Sequence, residues 1–161
     1  VYKRQLDEFE QQHPEQRLVR LRPHVILRQH TPPLVQAILK QPCNFFFNDP
    51  QPMTQCVSEI DVANAMLQAL TTDARGSFNL ATDQVASFYL IQKHLRNYSL
   101  PLPYSLAKHI HTFAWRYTGR YGDPAWLDCM QFSLTIDNEK AKRELNWAPT
   151  LDLFECLDAA I

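Results

Sequence analysis

Apolar and polar positions along this chain fall into short blocks that switch repeatedly between helical and strand spacing. Residues 5–13 place Leu6 and Phe9 on one side of a helix that Pro14 ends. Residues 17–22, RLVRLR, predict a strand with Leu18, Val19 and Leu21 inward, running into a loop over 23–31. Two prolines open a helix over 32–41, with Leu34, Val35, Ile38 and Leu39 on its apolar face and Pro42 beyond it. The aromatic run 44–47 predicts a strand, followed by a turn in NDPQPM. A strand is expected at 54–57. Ser58 then caps a helix over 59–70 whose core positions are Val62, Ala63, Met66, Leu67 and Leu70. Residues 77–80 form a strand, and 84–97 a helix with Phe88, Leu90, Ile91 and Leu95 inward. Pro101 and Pro103 mark a break. An aromatic helix follows over 104–118 and ends at Gly119 and Gly122. Asp137 caps a short helix, NEKAKREL, and a last helix occupies about 151–161. Short strands interleaved with helices give an α/β class, with too few strands for an independent doubly wound sheet.

Charge and composition narrow the function classes. Sixteen Lys and Arg face seventeen Asp and Glu, so a net charge of -1 gives no global field to recruit nucleic acid or an anionic membrane. There are only three glycines, Gly76, Gly119 and Gly122, and they form neither GxGxxG nor GxxxxGK[ST], so the chain has no loop of the kind that cradles nucleotide phosphates. Cysteines at 43, 56, 129 and 156 form no CxxC pair, which reads as reduced core thiols rather than a zinc ribbon or a disulfide scaffold. No apolar run approaches the roughly 20 residues of a membrane span. The first residues carry no apolar signal core, so a cytoplasmic protein is the default expectation.

Three ordered segments carry a resemblance. The first is Leu18-Val-Arg-Leu-Arg-Pro23. The second is Thr54-Gln-Cys-Val-Ser-Glu-Ile-Asp-Val-Ala63, followed by Ala65, Leu70 and then Gly76-Ser-Phe-Asn-Leu-Ala81. The third is Asp137-Asn-Glu-Lys-Ala-Lys-Arg-Glu-Leu-Asn-Trp-Ala-Pro149. Together they resemble the C-terminal half of the NAD-dependent epimerase/dehydratase family, the extended short-chain dehydrogenases/reductases. The segments are similar to that family's strand ending in Arg-Pro, its Q-F-V-H-V-D-D-V-A-x-A junction, its G-x-Y-N-L-A strand and its D-x-x-K-A-x-x-E-L-G-W-x-P motif. Ser58 stands where the family has His, Arg28 near a common Gly, and Asn146 at the Gly of the last motif. Asn is the next residue best suited to the left-handed backbone that such a helix end uses. Asp61, Trp147 and Pro149 read as fold determinants, Asp61 through the dipole of the helix it begins.

The resemblance implies the C-terminal part of a Rossmann-like NAD(P)-binding fold plus a small α/β substrate-binding lobe. Residues 1–5 would be extraneous, 6–31 the last part of the dinucleotide-binding domain, and 32–161 the substrate lobe with its C-terminal helices. The family's Gly-rich turn and Tyr-x-x-x-Lys pair are expected upstream of residue 6, because adjacent Tyr2 and Lys3 point about 100° apart and cannot share that work. On this reading the chain supplies no catalytic residue and is inert alone. The parent uses NAD or NADP on a nucleotide-sugar or similar small-molecule substrate, and a homodimer is its expected assembly. The other reading is a non-enzymatic binding or interaction module derived from the same fold.

Pro23 and His24, just past a strand end, are the candidate cofactor-side residues, since ligands gather beyond the C-terminal ends of strands in such sheets. From Gln84 to Gly122 there is no acid. Within that stretch Arg116 and Arg120, one helical turn apart, are the candidate substrate-binding pair for a diphosphate; the bland alternative is a basic surface over an aromatic core. His109 and His111 point about 200° apart on their helix and cannot share a metal. No metal site, nucleic-acid motif or Ser-His-Asp arrangement is expected.

Overall fold

A computed structural model of the chain describes residues 2–28, 43–46, 51–119, 123, 125–129 and 131–161. The expected helix over 32–41, Phe47, Arg120 and Gly122 lie outside the described residues. Helix α1 (Tyr2–Gln12) starts earlier than the apolar spacing predicts and includes most of the opening VYKRQ. Strand β1 (Val19–Pro23) follows, with Val19 and Leu21 partly buried against the core. Arg20 fastens α1 to β1, because its guanidinium donates to the carboxylates of both Asp7 and Glu10.

β1 pairs in parallel with β6 (Gly76–Leu80), Val19 opposite Gly76 and Pro23 opposite Leu80. Gly76 has φ +90°, a backbone that a side chain would strain. Three further two-stranded pairs complete the described sheet structure. β2 (Ile26–Leu27) runs parallel to β5 (Val57–Ser58), and β3 (Cys43–Phe46) runs parallel to β8 (Tyr98–Pro101). β4 (Met53–Thr54) runs antiparallel to β7 (Ala86–Ser87). The single strand expected at 54–57 is therefore two strands in different pairs. The chain leaves one for the other at Gln55 and Cys56, where Thr82 N–H donates to the Cys56 carbonyl (2.8 Å). β8 falls where two prolines predict only a break. Pro101 ends the strand opposite Phe46, a terminal place where its missing N–H is tolerated.

Helix α2 (Glu59–Thr71) begins as expected at Ser58, whose Oγ accepts the Asp61 N–H at 3.0 Å. Its buried face is not the expected one. Val62 is buried, but Ala63, Met66, Leu67 and Leu70 are exposed, and Asp61, Ala65 and Ala69 turn inward instead. Two small alanines let the helix approach Phe78 and Leu80 of β6 closely, while the larger apolar stripe faces out. Helix α3 (Phe88–His94) is shorter than 84–97. It is capped by Ser87 Oγ and buries Ile91, but it leaves Leu90 exposed. Helix α4 (Tyr104–Thr118) ends at left-handed Gly119 as expected, yet Ala107 is its one buried residue. Phe113, Trp115 and Tyr117 are exposed, which overturns an aromatic core beneath this segment. Helix α5 (Ala125–Cys129) follows.

Helix α6 (Glu139–Leu145) begins where Asp137 Oδ1 accepts the Glu139 N–H (2.7 Å) and ends at Asn146 in the left-handed conformation, φ +51°. Trp147 folds back as expected and is buried, its Nε1–H donating to the Asp61 carbonyl (2.8 Å). Helix α7 (Leu153–Ala160) carries a capping box, with Asp152 accepting from Phe154 and Glu155 N–H and Glu155 reaching back to Asp152 N–H. Two cores result. One joins the β1–β6 pair to α2, α6 and Trp147; the other joins β2, α3 and α7 around Leu27, Ile91, Leu153 and Leu157.

Asp61 is fully buried. Its carboxylate accepts from Ser58 Oγ (2.8 Å), Thr150 N–H (3.0 Å) and Thr150 Oγ1 (2.6 Å), so one side chain ties the α2 N-terminus to the segment after α6. Asp61→Ala is expected to cost about 3 kcal/mol in urea unfolding, since it removes hydrogen bonds to a charged acceptor and strands their donors. Asn146→Ala should cost about 1 kcal/mol in the same measurement and Asn146→Gly nothing or a slight gain, because only the backbone preference changes.

Candidate functional site

The C-terminal ends of β1 and β6 lie side by side, and the chain leaving each of them builds the candidate site. Past β1, His24 N–H donates to the Leu80 carbonyl at 2.9 Å, continuing the ladder one residue beyond Pro23. Its ring Nε2–H donates to the Leu134 carbonyl (3.0 Å), which fixes the tautomer and leaves Nδ1 as a bare acceptor. Nδ1 is buried and makes no hydrogen bond. Burial pushes the His24 pKa below its ordinary value, outweighing the Leu134 and Gln55 carbonyls that favour the proton. Pro23 is exposed at the same strand end.

Past β6, the chain runs through Ala81, Thr82 and Asp83 along a cleft of about 320 Å³ lined by Gln55, Thr82, Asp83, Lys142 and residues 136–139. The walls are held by side-chain amides. Gln55 Nε2–H donates to the Thr82 carbonyl (2.8 Å), and Gln55 Oε1 accepts the Ile136 N–H (2.8 Å). Asn138 Nδ2–H donates to the Ala81 carbonyl (2.8 Å) and the Asp83 carboxylate (2.7 Å). Lys142 lies 2.8 Å from both Asp83 and Glu139. The Lys142 and Asn138 hydrogen bonds hold the Asp83 carboxyl below its usual range, and Asp83 in turn raises Lys142. Gln55 connects the two halves of the site, since its carbonyl lies against His24 and its side chain lines the cleft. Sequence reasoning reaches His24 but not Gln55 or Asn138, whose roles depend on contacts with residues far along the chain.

Arg116 is exposed on α4, and its expected partner Arg120 lies outside the described residues. One feature of α4 escaped the sequence reading. Tyr104 and Lys108 have Tyr-x-x-x-Lys spacing on a single helix. Between them sits the Asp128 carboxylate of α5, accepting from the Tyr104 hydroxyl and from Lys108 Nζ (2.8 Å). That contact raises the Lys108 pKa and lowers that of Asp128. A Tyr/Lys acid-base pair needs the ammonium to ease loss of the phenol proton; here a carboxylate holds both donors. The trio is a brace between α4 and α5. The positive-φ glycines are likewise committed, Gly76 to the start of β6 and Gly119 to the end of α4, and neither forms a phosphate cradle.

His24 makes stability depend on pH. Its folded pKa is below the unfolded value of about 6.5, so its contribution is complete above that value and is lost as pH falls through it. The denaturation midpoint is expected to fall more steeply as pH drops below about 6.5 in the parent than in His24→Gln. Parallel midpoint curves would refute the assignment.

Comparison with solved structures places this fold. UDP-glucose 4-epimerase from Thermotoga maritima, solved with UDP-glucose, matches with a TM-score of 0.61 at 20% identity, over 96% of this chain and 48% of that one. The ADP-L-glycero-D-manno-heptose-6-epimerase of Helicobacter pylori matches with a TM-score of 0.62 at 16% identity, over 96% of this chain and 46% of that one. UDP-glucuronic acid 4-epimerase from Bacillus cereus, solved in complex with NAD, matches with a TM-score of 0.61 at 16% identity, over 97% of this chain and 47% of that one. No protein-family model matches the chain, and neither does any curated protein sequence. The likeness at these identities is one of fold: an α/β chain built as the C-terminal portion of these epimerases and spanning slightly less than half their length.

Proposed function

We propose that this chain is the substrate-binding part of an NAD(P)-dependent epimerase, dehydratase or reductase acting on a nucleotide-sugar or similar small molecule, and that it is inert alone. The observation that carries the reading is the parallel β1–β6 pair, whose adjacent C-terminal ends present His24 and the Thr82–Lys142 cleft together. Strand ends of this kind are where ligands sit in doubly wound sheets. The resemblance of the Arg-Pro strand, the Ser58–Asp61 junction and the Trp147 motif to the epimerase/dehydratase family supports the same conclusion, as does the fold of enzymes solved with NAD and with UDP-sugars.

On this reading residues 6–31 end the dinucleotide-binding domain and 32–161 form the substrate lobe, Pro23 and His24 lie on the nicotinamide side, and Arg116 with Arg120 takes the diphosphate. The bound coenzyme would supply hydride transfer. This chain's contribution is to shape one wall of the site, with the His24 ring held there by its hydrogen bond to the Leu134 carbonyl. The phosphate cradle and the Tyr/Lys acid-base pair come from a dinucleotide-binding half of about 150 residues, one ordinary domain length.

The test is a chimera. Joining residues 6–161 behind the dinucleotide-binding half of the Thermotoga maritima epimerase should give a protein that binds NAD, while the 161-residue chain alone shows no NAD(H)- or NADP(H)-dependent absorbance change with UDP-glucose. Turnover by the chain alone, or a folded chimera that does not bind NAD, would contradict the reading.

A further inference from the structure

We propose that Cys56 and Cys156 are a thiol pair that a hydroperoxide oxidises to a disulfide, fastening α7 to the corner between β4 and β5. Both are free thiols, 4% and 1% exposed, in the second core. They come from distant parts of the chain. Cys56 lies in the corner where β4 gives way to β5, and Cys156 meets it from the first turns of α7. Cys56 Sγ donates to the Leu153 carbonyl (3.8 Å), about one helical turn before Cys156 on the same side of α7. The two thiols are also hydrogen-bonded to each other, with Cys56 as donor and Cys156 as acceptor. The proposed catalytic reading uses neither of them.

The contact divides the chemistry between the two sulfurs. The hydrogen bond from Cys56 holds the Cys156 thiol below its ordinary range, while the same bond and burial push Cys56 up. Cys156 is therefore the nucleophile and Cys56 the resolving thiol. First the Cys156 thiolate attacks a peroxide oxygen: an S–O bond forms, the O–O bond breaks, and the leaving oxygen takes a proton and departs as water or an alcohol. Cys156 is then a sulfenic acid. Next the Cys56 sulfur attacks the Cys156 sulfur: the S–S bond forms, the S–O bond breaks, and the hydroxyl leaves as water with the Cys56 proton. The two thiols lose two electrons and the peroxide gains them. From hydrogen-bond contact the sulfurs close to a bond of about 2 Å. Hydrogen peroxide is small, and it reaches a buried pair when the terminal helix opens locally, so the reaction is slow and answers sustained exposure. The bond also fixes the backbone beside Gln55, which precedes Cys56 and lines the cleft.

The test uses the full 161-residue chain and hydrogen peroxide at neutral pH. Cys43→Ser with Cys129→Ser removes the other cysteines and leaves the pair. Folded, this protein should lose the mass of two hydrogens, and digestion without reductant should give one species that joins the segment around Cys56 to that around Cys156. The urea midpoint should rise on oxidation and return after dithiothreitol, because the bond closes a long loop. In this background Cys56→Ser should stop at a Cys156 sulfenic acid that dimedone captures, and Cys156→Ser should be captured about tenfold more slowly. A folded pair that stays reduced, a linkage that forms only in urea, or equal dimedone capture at the two cysteines overturns the proposal. Where circular dichroism shows that a single-thiol variant does not fold, the linkage and the midpoint shift of the folded pair decide.

Discussion

The Asp61 carboxylate is the point on which the first core depends. It enters that core at the first turn of α2, and among the described residues its side-chain partners are donors: the Ser58 hydroxyl on one side and the Thr150 amide and hydroxyl on the other. The helix start adds its own partial positive charge. The backbone carbonyl of the same residue receives the Trp147 indole. Two segments far apart in sequence are thereby held in one orientation, and β6 lies between them, with Phe78 and Leu80 buried in the same core. The direction in which β6 delivers Ala81, Thr82 and Asp83 to the cleft therefore follows from a buried acid outside the cleft. Apolar packing alone would tolerate some sliding of α2 over the strands; a carboxylate with directed donors does not.

Features governed by local chemistry were legible in the sequence. Ser58 as a cap, Gly119 and Asn146 as left-handed helix ends, and the fold-back of Trp147 each depend on a few neighbouring residues, and each is found. The ordered motifs gave the fold class for a related reason, because they sit at junctions where the backbone admits few residue types. What could not be read was which stripe faces inward. α2 carries a broad apolar surface, and periodicity alone gives no ground for preferring Ala65 and Ala69 to the larger Met66, Leu67 and Leu70. The choice belongs to the strands beneath, which accept a close-lying helix. Likewise the aromatic content of α4 suggests a core, whereas the fold supplies no partner for most of it. β8 was hidden because its partner β3 lies far away in sequence and two prolines mask the strand pattern.

The candidate site follows the same division. His24 could be singled out as the residue after a strand-ending proline. Its buried Nδ1 and its depressed pKa come from burial in the folded chain, against the Leu134 and Gln55 carbonyls, which favour the proton. The Tyr104–Lys108 spacing shows the opposite case. It is plain in the sequence once sought, but its meaning depends on Asp128, which turns a pattern suited to proton transfer into a mechanical brace. Residue type and spacing nominate a group for chemistry; the third group in contact decides.

The parallel register of β1 with β6 sets Val19 opposite Gly76, so the whole of α2 is made before β6, the partner of β1 among the described residues. Loop closure over such a separation must precede any reward from the contacts it creates, which makes folding slow relative to helical chains of the same size. During synthesis β1 emerges from the ribosome well before its neighbour does. For that interval the apolar residues of β1 are open to whatever chain is nearby, while Arg20 already has Asp7 and Glu10 of α1, made before it, as partners.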